Sequence, residues 1–158
     1  MYDNNQLVVF TLDEYRYAVP LAAVERVVRL VEITPLPKAP RIVIGVINLQ
    51  GRIVPVLDMR ARFGLPKRGM RLGAQLIIAR TSRRTVAMLV DESRGVMECP
   101  SDNTVAAEEI VPGMEYVTGV MKLADGMLFI HNLDEFLSLE EEKTLEAAIN
   151  GNEGRGQT

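Results

Sequence analysis

Short apolar runs separated by polar turns extend along most of the chain, and this pattern is typical of a protein built mainly from β-strands. The apolar runs at 7–12 and 15–19 flank Asp13-Glu14 and predict a hairpin. Three more hairpins are predicted at 45–57, 74–90 and 116–131, and a single strand is expected at 95–99. In the first and last of these three hairpins, the dipeptides Gln50-Gly51 and Asp125-Gly126 are the turn signals, because glycine readily adopts a positive φ.

Between residues 21 and 31 the apolar positions recur instead at three- and four-residue steps, which predicts a single helix. Pro20 would begin this helix, since proline is favoured in the first turn. Val27 lies at the edge of the apolar stripe and is expected to be exposed. The side chains expected to face the core are Leu21, Val24, Val28 and Val31.

Prolines place two further restrictions on the chain. The segment 34–40 contains three prolines and is therefore expected to be a stiff connector, neither a helix nor a central strand. Pro55 lies inside the predicted strand 52–57, where it cannot donate a hydrogen bond to a neighbouring strand. That strand is therefore expected at a sheet edge, or with a bulge at Pro55.

Short polar residues mark the beginnings of the other predicted helices. Asp58 is a suitable N-cap for a helix of one to two turns over 59–63, and Asn132 or Asp134 would cap another short helix after the last hairpin. A serine and a glutamate three residues apart, at 138 and 141, have the spacing of a capping box. They predict a C-terminal helix to about Ile149.

Charge is distributed very unevenly along these 158 residues, although the formal net charge is only −3. Residues 52–90 contain nine basic residues and one acidic residue, whereas 91–158 contain four basic and fifteen acidic residues. This division predicts either a positive and a negative face or ion pairs between the two segments. No basic segment precedes a long apolar run, and no apolar run is long enough to span a membrane, so a soluble cytoplasmic protein is expected.

Candidate catalytic residues are few. His131 and Cys99 are the sole histidine and cysteine, so a zinc site with several such ligands is not expected. Both are interpreted as packed structural residues, Cys99 as a buried inert thiol. The sequence contains neither a phosphate-binding loop nor a nucleophile elbow. No catalytic residue, metal or cofactor is therefore expected.

Two alternative functions remain open at this point. The basic segment 52–90 could contact the phosphates of a nucleic acid, because small β-barrels bind such ligands. However, Phe63 is the sole aromatic residue in that segment, which leaves few stacking partners for bases. The other alternative is a small-molecule-binding barrel or an enzyme with an unrecognised site.

The most specific pattern lies in residues 45–65. It resembles the signature of the CheW family, the adaptors of bacterial chemotaxis arrays, in which G-V-x-N-L-R-G-x-I-V-P-V-x-D-L-R-x-x-F is typical. Gln50 replaces the usual arginine and Met59 the usual leucine. The matching residues are Gly45, Val46, Asn48, Leu49, Gly51, Ile53, Val54, Pro55, Val56, Asp58, Arg60 and Phe63.

The resemblance extends from about Leu7 to about Phe136 and implies a mainly β fold. It implies two packed five-stranded SH3-like β-barrels, with short helices at their junction and a C-terminal helix. The expected organisation is a frayed segment at 1–6, one CheW-like domain of two intertwined barrels at 7–150, and a polar tail at 151–158.

The same resemblance implies a non-catalytic adaptor that couples methyl-accepting chemoreceptors to the histidine kinase CheA. One barrel would dock on the regulatory domain of the kinase. The cytoplasmic tip of the receptor would lie in a groove at the junction of the barrels. Such a protein would be cytoplasmic and recruited to membrane-bound receptor arrays, without inserting into the membrane and without binding nucleic acid.

Five residues are expected to bind partners: Val24, Arg26, Val27, Asn48 and Arg60. Arg60 occupies the family's signature arginine, and its guanidinium suits a partner carboxylate. Replacing Arg60 with alanine is therefore expected to weaken binding and leave the fold intact. Many family members have V-x-E-[IV]-x-R at 24–29, but here Arg26 stands where an acidic residue is common. This reversal predicts a changed partner specificity.

Overall fold

The computed structural model describes residues 6–67, 73–98, 104–105 and 117–156, and these residues form two β-sheets and two α-helices. The strands are β1 (Gln6–Leu12), β2 (Tyr15–Pro20), β3 (Val24–Arg29), β4 (Val43–Leu49), β5 (Arg52–Asp58), β6 (Gln75–Arg80), β7 (Thr85–Val90), β8 (Glu92–Glu98), β9 (Thr104–Val105), β10 (Val117–Leu123) and β11 (Gly126–His131). The helices are α1 (Met59–Arg62) and α2 (Leu139–Gly156), with 3-10 turns at Leu21–Ala23 and Leu133–Glu135.

The two sheets are formed by different parts of the chain. Barrel 1 has the strand order β8-β1-β2-β11-β10-β9, and barrel 2 has the order β3-β6-β7-β5-β4. The chain enters barrel 2 after the turn Leu21–Ala23 and returns to barrel 1 at Asp91, so the barrels are intertwined. The predicted mainly β fold of two packed five-stranded barrels is confirmed, with the two-residue β9 as an additional strand of barrel 1.

Barrel 2 is closed by backbone hydrogen bonds between the segment that follows β3 and strand β4. Thr34 N donates to Val46 O, and Val46 N donates to Thr34 O, both at 2.8 Å. Since β3 and β4 are the two edges of this sheet, the bridge joins the edges and leaves fewer unpaired backbone groups. The proline-containing connector predicted at 34–40 begins at this bridge.

Several strands bury both faces, because the barrels pack against each other. In β6, Leu76 and Ile78 belong to the interior of barrel 2, whereas Ile77 and Ala79 belong to a larger core shared by both barrels. We call this shared core the junction core. Because both faces of these strands are buried, their sequences are continuous apolar runs and do not alternate strictly between apolar and polar residues.

The four predicted hairpins are confirmed by antiparallel pairing of β1 with β2, β4 with β5, β6 with β7 and β10 with β11. The single strand predicted at 95–99 is also present, but it begins earlier, as β8. The predicted short helices are found as α1, capped by Asp58, and as the 3-10 turn Leu133–Glu135, capped by Asn132.

The helix predicted over 21–31 is wrong. After a single 3-10 turn, residues Val24–Arg29 form strand β3, which pairs antiparallel with β6. A bulge between Val24 and Arg26 shifts the register of β3 and mimics helical spacing in the apolar pattern. Val31, expected in the core, is 47% exposed, whereas Val27 is exposed as predicted.

The expectation that Pro55 marks an edge strand is also wrong, since β5 lies between β4 and β7. Pro55 faces Val46 of β4, and the parallel ladder with β7 begins only at Val56. The missing N–H of Pro55 therefore lies outside that ladder. The bulge in this hairpin falls on β4, between Val43 and Gly45.

Helix α2 begins with the predicted capping box. Ser138 N donates to Glu141 Oε1 at 2.8 Å, and Glu141 N donates to Ser138 Oγ at 3.1 Å. The helix continues to Gly156, beyond its predicted end near Ile149, because no proline interrupts this segment and glycine is only a weak helix breaker. Leu145 of α2 packs into the junction core.

Ion pairs join the basic and acidic segments of the chain. Arg62 Nη2 lies 2.7 Å from Glu141 Oε2, and Arg84 Nε lies 2.7 Å from Glu142 Oε1. Both pairs hold α2 against barrel 2, and the Arg84–Glu142 pair is largely buried. Of the two interpretations of the uneven charge, ion pairing between the segments is confirmed for these residues.

Some predictions fall outside the described residues. These are the frayed start of the chain before Gln6 and the buried thiol of Cys99.

Candidate partner-binding surface

Strand β3 and the turn between β4 and β5 meet at one end of barrel 2. Arg26 Nη2 donates to Gln50 Oε1 at 3.1 Å. Next to it, Arg52 Nη2 pairs with Glu25 Oε2 at 3.0 Å. We call these four residues the polar cluster. The hydrogen bond from Arg52, together with its charge and the charge of Arg26, lowers the pKa of Glu25, so this carboxylate stays ionised at neutral pH.

The turn beside this cluster is fixed by Asn48. Asn48 Oδ1 accepts a hydrogen bond from Gly51 N at 2.8 Å. Gln50 and Gly51 have φ values of 52° and 88°, the two positive values that a tight hairpin turn requires. The side chain of Asn48 therefore holds Gln50 in a position where its side-chain oxygen can accept a hydrogen bond from Arg26.

Two of the five predicted partner-binding residues, Arg26 and Asn48, are thus brought to one exposed end of barrel 2. Val27 is 36% exposed, but it is paired with Ile77 whereas Arg26 is paired with Ile78, so the side chains of Val27 and Arg26 point to opposite faces of β3. One exposed apolar side chain, Ile53, lies on the same hairpin as Asn48 and Gln50. It is the cross-strand neighbour of Asn48 and is 49% exposed. An apolar surface with a charged border is a common arrangement in protein–protein interfaces.

Val24 lies apart from this group, because it is half-buried and packs against the junction core. Replacing Val24 with alanine should lower the free energy of unfolding by about 1–2 kcal/mol through lost packing. Urea denaturation would measure this loss, with the exposed Val27→Ala as the matched control that should cost less. If Val24→Ala instead reduces partner binding at an unchanged melting temperature, Val24 belongs to the interface.

Arg60 also lies apart, in a network that joins the two barrels. Its Nη2 pairs with Asp13 Oδ2 at 2.6 Å, and its Nη1 lies 3.3 Å from Asp91 Oδ2. Asp13 belongs to the β1–β2 turn of barrel 1, and Asp91 to the crossing between β7 and β8. The side chain of Arg60 is only 12% exposed. We call Arg60, Asp13 and Asp91 the arginine clasp.

The clasp does not fit the expectation of a purely surface role for Arg60. A partner carboxylate would have to displace Asp13 or Asp91 to reach the guanidinium. Asp13 N also donates to Asp91 Oδ2 at 2.7 Å, so each member of the clasp is bound to the other two. Its geometry holds barrel 1 and barrel 2 in a fixed relative position.

Aromatic side chains lie beside the clasp in the junction core. The rings of Tyr17 and Phe63 are stacked with centroids 4.4 Å apart, and the ring of His131 lies 4.6 Å from Phe63. Burial, with Tyr15 and Asp13 nearby, raises the pKa of Tyr17 to about 12. His131 is buried among these rings, which confirms its interpretation as a packed residue.

Sequence reasoning missed Gln50, Glu25 and Arg52 as parts of the surface, and the two aspartates of the clasp. A usable signal existed for Gln50. The sequence departs from the family pattern at Arg26 and at Gln50, and the structure brings these two departures into contact. For the aspartates the sequence offers no such signal, since they lie 78 residues apart.

The described surface at this end of barrel 2 is formed by exposed charged and polar side chains. Among the described residues no group of three or more His, Cys, Asp or Glu side chains could hold a metal ion. Several arginines of the basic segment, including Arg52, Arg60, Arg62 and Arg84, are engaged by carboxylates of the chain itself, which disfavours a phosphate-binding role. None of the described helices combines the length and apolar character needed to cross a membrane.

Comparison with known proteins gives a consistent result. The family model for the CheW-like domain matches residues 6–141. The chain is 28% identical over 138 residues to chemotaxis protein CheW of Rhizobium meliloti, covering 86% of this chain and 89% of that protein. It is 27% identical over 138 residues to chemotaxis protein CheW of Klebsiella aerogenes, covering 86% and 83%. The crystal structure of scaffolding protein TtCheW from Thermoanaerobacter tengcongensis is similar with a TM-score of 0.80, at 29% identity, covering 88% of this chain and 96% of that one.

Proposed function

The chain belongs to the CheW family and is a non-catalytic chemotaxis adaptor, and we propose that it couples methyl-accepting chemoreceptors to the histidine kinase CheA. The observation that carries this assignment of partners is the exposed surface formed by β3 and the β4–β5 hairpin. It combines the exposed side chain of Ile53, a turn held by Asn48, and the guanidinium groups of Arg26 and Arg52. These features suit recognition of another folded protein.

In this proposal Arg26, Val27 and Asn48 contact a partner directly. Val24 and Arg60 support that surface from inside, Val24 by packing under β3 and Arg60 by fixing the barrels. The regulatory domain of the kinase would dock on one barrel, and the cytoplasmic tip of the receptor would lie at the junction of the barrels. The protein would work in the cytoplasm and be recruited to membrane-bound receptor arrays.

Coupling of this kind needs no bond to be made or broken. If receptor and kinase bind the same rigid body, a change in one bound partner alters the free energy of binding the other. The arginine clasp favours such transmission, because it limits relative movement of the two barrels. The chain then contributes a coupling free energy, typically about 1–3 kcal/mol in allosteric systems.

Sedimentation with membranes tests the proposed partners. Membranes that contain chemoreceptors from the same organism should carry down the chain, and addition of the chain should increase the amount of co-sedimenting kinase several-fold. Membranes without receptors provide the control. Failure of both kinase and receptor to retain the chain at micromolar concentrations would contradict the proposal.

A further inference from the structure

Barrel 1 contains a cavity beside the turn between β1 and β2. Its volume is about 880 Å³, which lies within the usual range of small-molecule sites, roughly 300–1,000 Å³. Val9 of β1 and Met97 of β8 line the cavity and pack in the apolar interior of barrel 1. The mouths of β-barrels are common positions for such sites. None of the four residues of the polar cluster lines this cavity, so the proposed docking surface does not account for it.

A buried hydroxyl, that of Thr11, lies in the wall of this cavity. Thr11 is two residues from Val9 on β1, so its side chain points to the same face, into barrel 1. The residue is 8% exposed, and its Oγ1 forms no hydrogen bond with any residue that the structure describes. Buried polar groups are nearly always hydrogen-bonded, because losing water without gaining a partner costs free energy. An unpartnered hydroxyl in the wall of a cavity therefore indicates a ligand that supplies the partner.

The charges around the cavity favour a cationic ligand. Five carboxylates and two guanidinium groups line it, and Arg60 of the arginine clasp adds a third cation, which leaves a net charge of −2. The carboxylates are those of Asp13, Glu14, Asp91, Glu92 and Asp125, and the guanidinium groups are those of Arg16 and Arg94. A cation would be attracted to this region and an anion repelled.

The neighbours of Thr11 in the sheet favour the same sign of charge. Thr11 is paired with Arg16 of β2 and with Glu92 of β8, so these three side chains share one face. Arg16 Nη2 already donates to Asp125, to Oδ1 at 2.9 Å and to the carbonyl oxygen at 3.2 Å. Glu92 Oε1 lies 3.4 Å from Arg94 Nε, and because both side chains are more than half exposed this ion pair is weak. The carboxylate of Glu92 is therefore the charged group beside Thr11 that a ligand can engage most readily.

We propose that this cavity binds a small primary amine that carries a short apolar chain. The ammonium group donates to Thr11 Oγ1 and to the carboxylate of Glu92, and the apolar chain contacts Val9 and Met97. An ammonium has three N–H donors and no acceptor, which suits a hydroxyl oxygen beside a carboxylate. This binding site goes beyond the adaptor function, and its test needs neither kinase nor receptor.

Binding of n-hexylammonium to the isotope-labelled full chain, followed by NMR, tests the class of ligand. Amide resonances of β1 and β8 should shift saturably, with a Kd of about 1 mM or below. Hexanol and hexanoate have the same chain length without the positive charge, and each should bind at least about tenfold more weakly. Absence of saturation by hexylammonium at about 20 mM, or equal binding of hexanol or hexanoate, would overturn the proposal.

Two variants test the assigned contacts. Thr11→Val removes the hydroxyl and keeps the shape of the side chain, so it should melt at or above the wild-type temperature and bind hexylammonium about tenfold more weakly. Glu92→Gln should weaken binding about two- to fivefold. Glu135→Gln, at an exposed position outside the cavity, is the matched control and should leave binding unchanged. A lower melting temperature of Thr11→Val would show that the hydroxyl has a partner within the chain, and an unchanged affinity would show that it does not contact the ligand. Either result would overturn the proposal, as would equal binding by Glu92→Gln and Glu135→Gln.

Discussion

Replacing Gly45 with alanine should lower the free energy of unfolding by about 3 kcal/mol, one of the largest effects expected for a single residue of this chain. A Cβ at this position would overlap the backbone carbonyl oxygen of Thr34 and crowd the side chain of Ile33. Backbone cannot move aside as a flexible side chain can. Strand β4 and the segment that follows β3 would have to separate.

Separation would also break the bridge that joins the barrel edges. The hydrogen bonds between Thr34 and Val46, each 2.8 Å long, lie directly beside Gly45. Their loss would loosen the connector that follows β3 and expose the edge of β4. Denaturation in urea should therefore show a lower midpoint, and hydrogen exchange at Val46 should become faster.

Gly151→Ala is the matched control, because the substitution is the same but the site is an exposed position in α2. A Cβ there meets nothing within 4 Å, and alanine is the better helix former. This variant should be about as stable as the wild type or up to 1 kcal/mol more stable. Equal stability of Gly45→Ala and Gly151→Ala would show that the approach of Thr34 to Gly45 is not a real constraint.

Arg60→Ala should destabilise the protein by about 2–3 kcal/mol, because it leaves the carboxylates of Asp13 and Asp91 close together without their cation. Both carboxylates are mostly buried. Arg60→Lys should recover only part of the loss, since lysine keeps the charge but cannot span two carboxylates with a planar fork. Because guanidinium chloride is an ionic denaturant, the unfolding free energies of these variants should be compared in urea.

The second readout for Arg60 is the coupling between partners. If the clasp fixes the relative position of the barrels, Arg60→Lys should retain binding of each partner alone but lose part of the mutual enhancement. Arg41→Ala, which removes an exposed arginine, serves as the control for charge. A fully stable Arg60→Ala variant that loses only partner binding would contradict the clasp and restore a surface role for Arg60.

The hairpins could be predicted from the sequence because their turn residues are local signals. Gln50 and Gly51 both have positive φ in a tight turn, and in the last hairpin Gly126, which also has a positive φ, begins β11 directly after the turn residues Ala124 and Asp125. The caps at Asp58 and Ser138 were predictable for the same reason, since each acts on backbone groups within three residues. Such interactions require no knowledge of the tertiary fold.

The segment from 21 to 31 could not be predicted in this way, because its conformation depends on a distant strand. Pairing with β6 supplies hydrogen bonds that a local pattern does not reveal, and the bulge at Glu25 distorts the two-residue alternation. Val24 and Val28 then pack into different cores, Val24 into the junction core and Val28 into the interior of barrel 2. Tertiary pairing here overrides the apparent helical spacing.

The candidate surface was partly predictable for a related reason. Arg26 and Asn48 could be assigned from the family pattern, but the sequence does not show that Arg26 meets Gln50. The role of Arg60 could not be predicted from the sequence, because its partners Asp13 and Asp91 lie in turns that are remote in sequence. A signature arginine is compatible with binding a partner or with fixing the scaffold, and only the fold distinguishes these roles.

Kinase activity in a reconstituted system tests the central claim most directly. Purified CheA from the same organism would be mixed with receptor-containing vesicles, and its autophosphorylation rate measured with and without this chain. We expect the rate to rise at least tenfold when kinase, receptor and chain are all present, and to stay near the basal value when the receptor or the chain is omitted. An unchanged rate in the complete mixture, at concentrations that saturate any binding, would contradict the adaptor function.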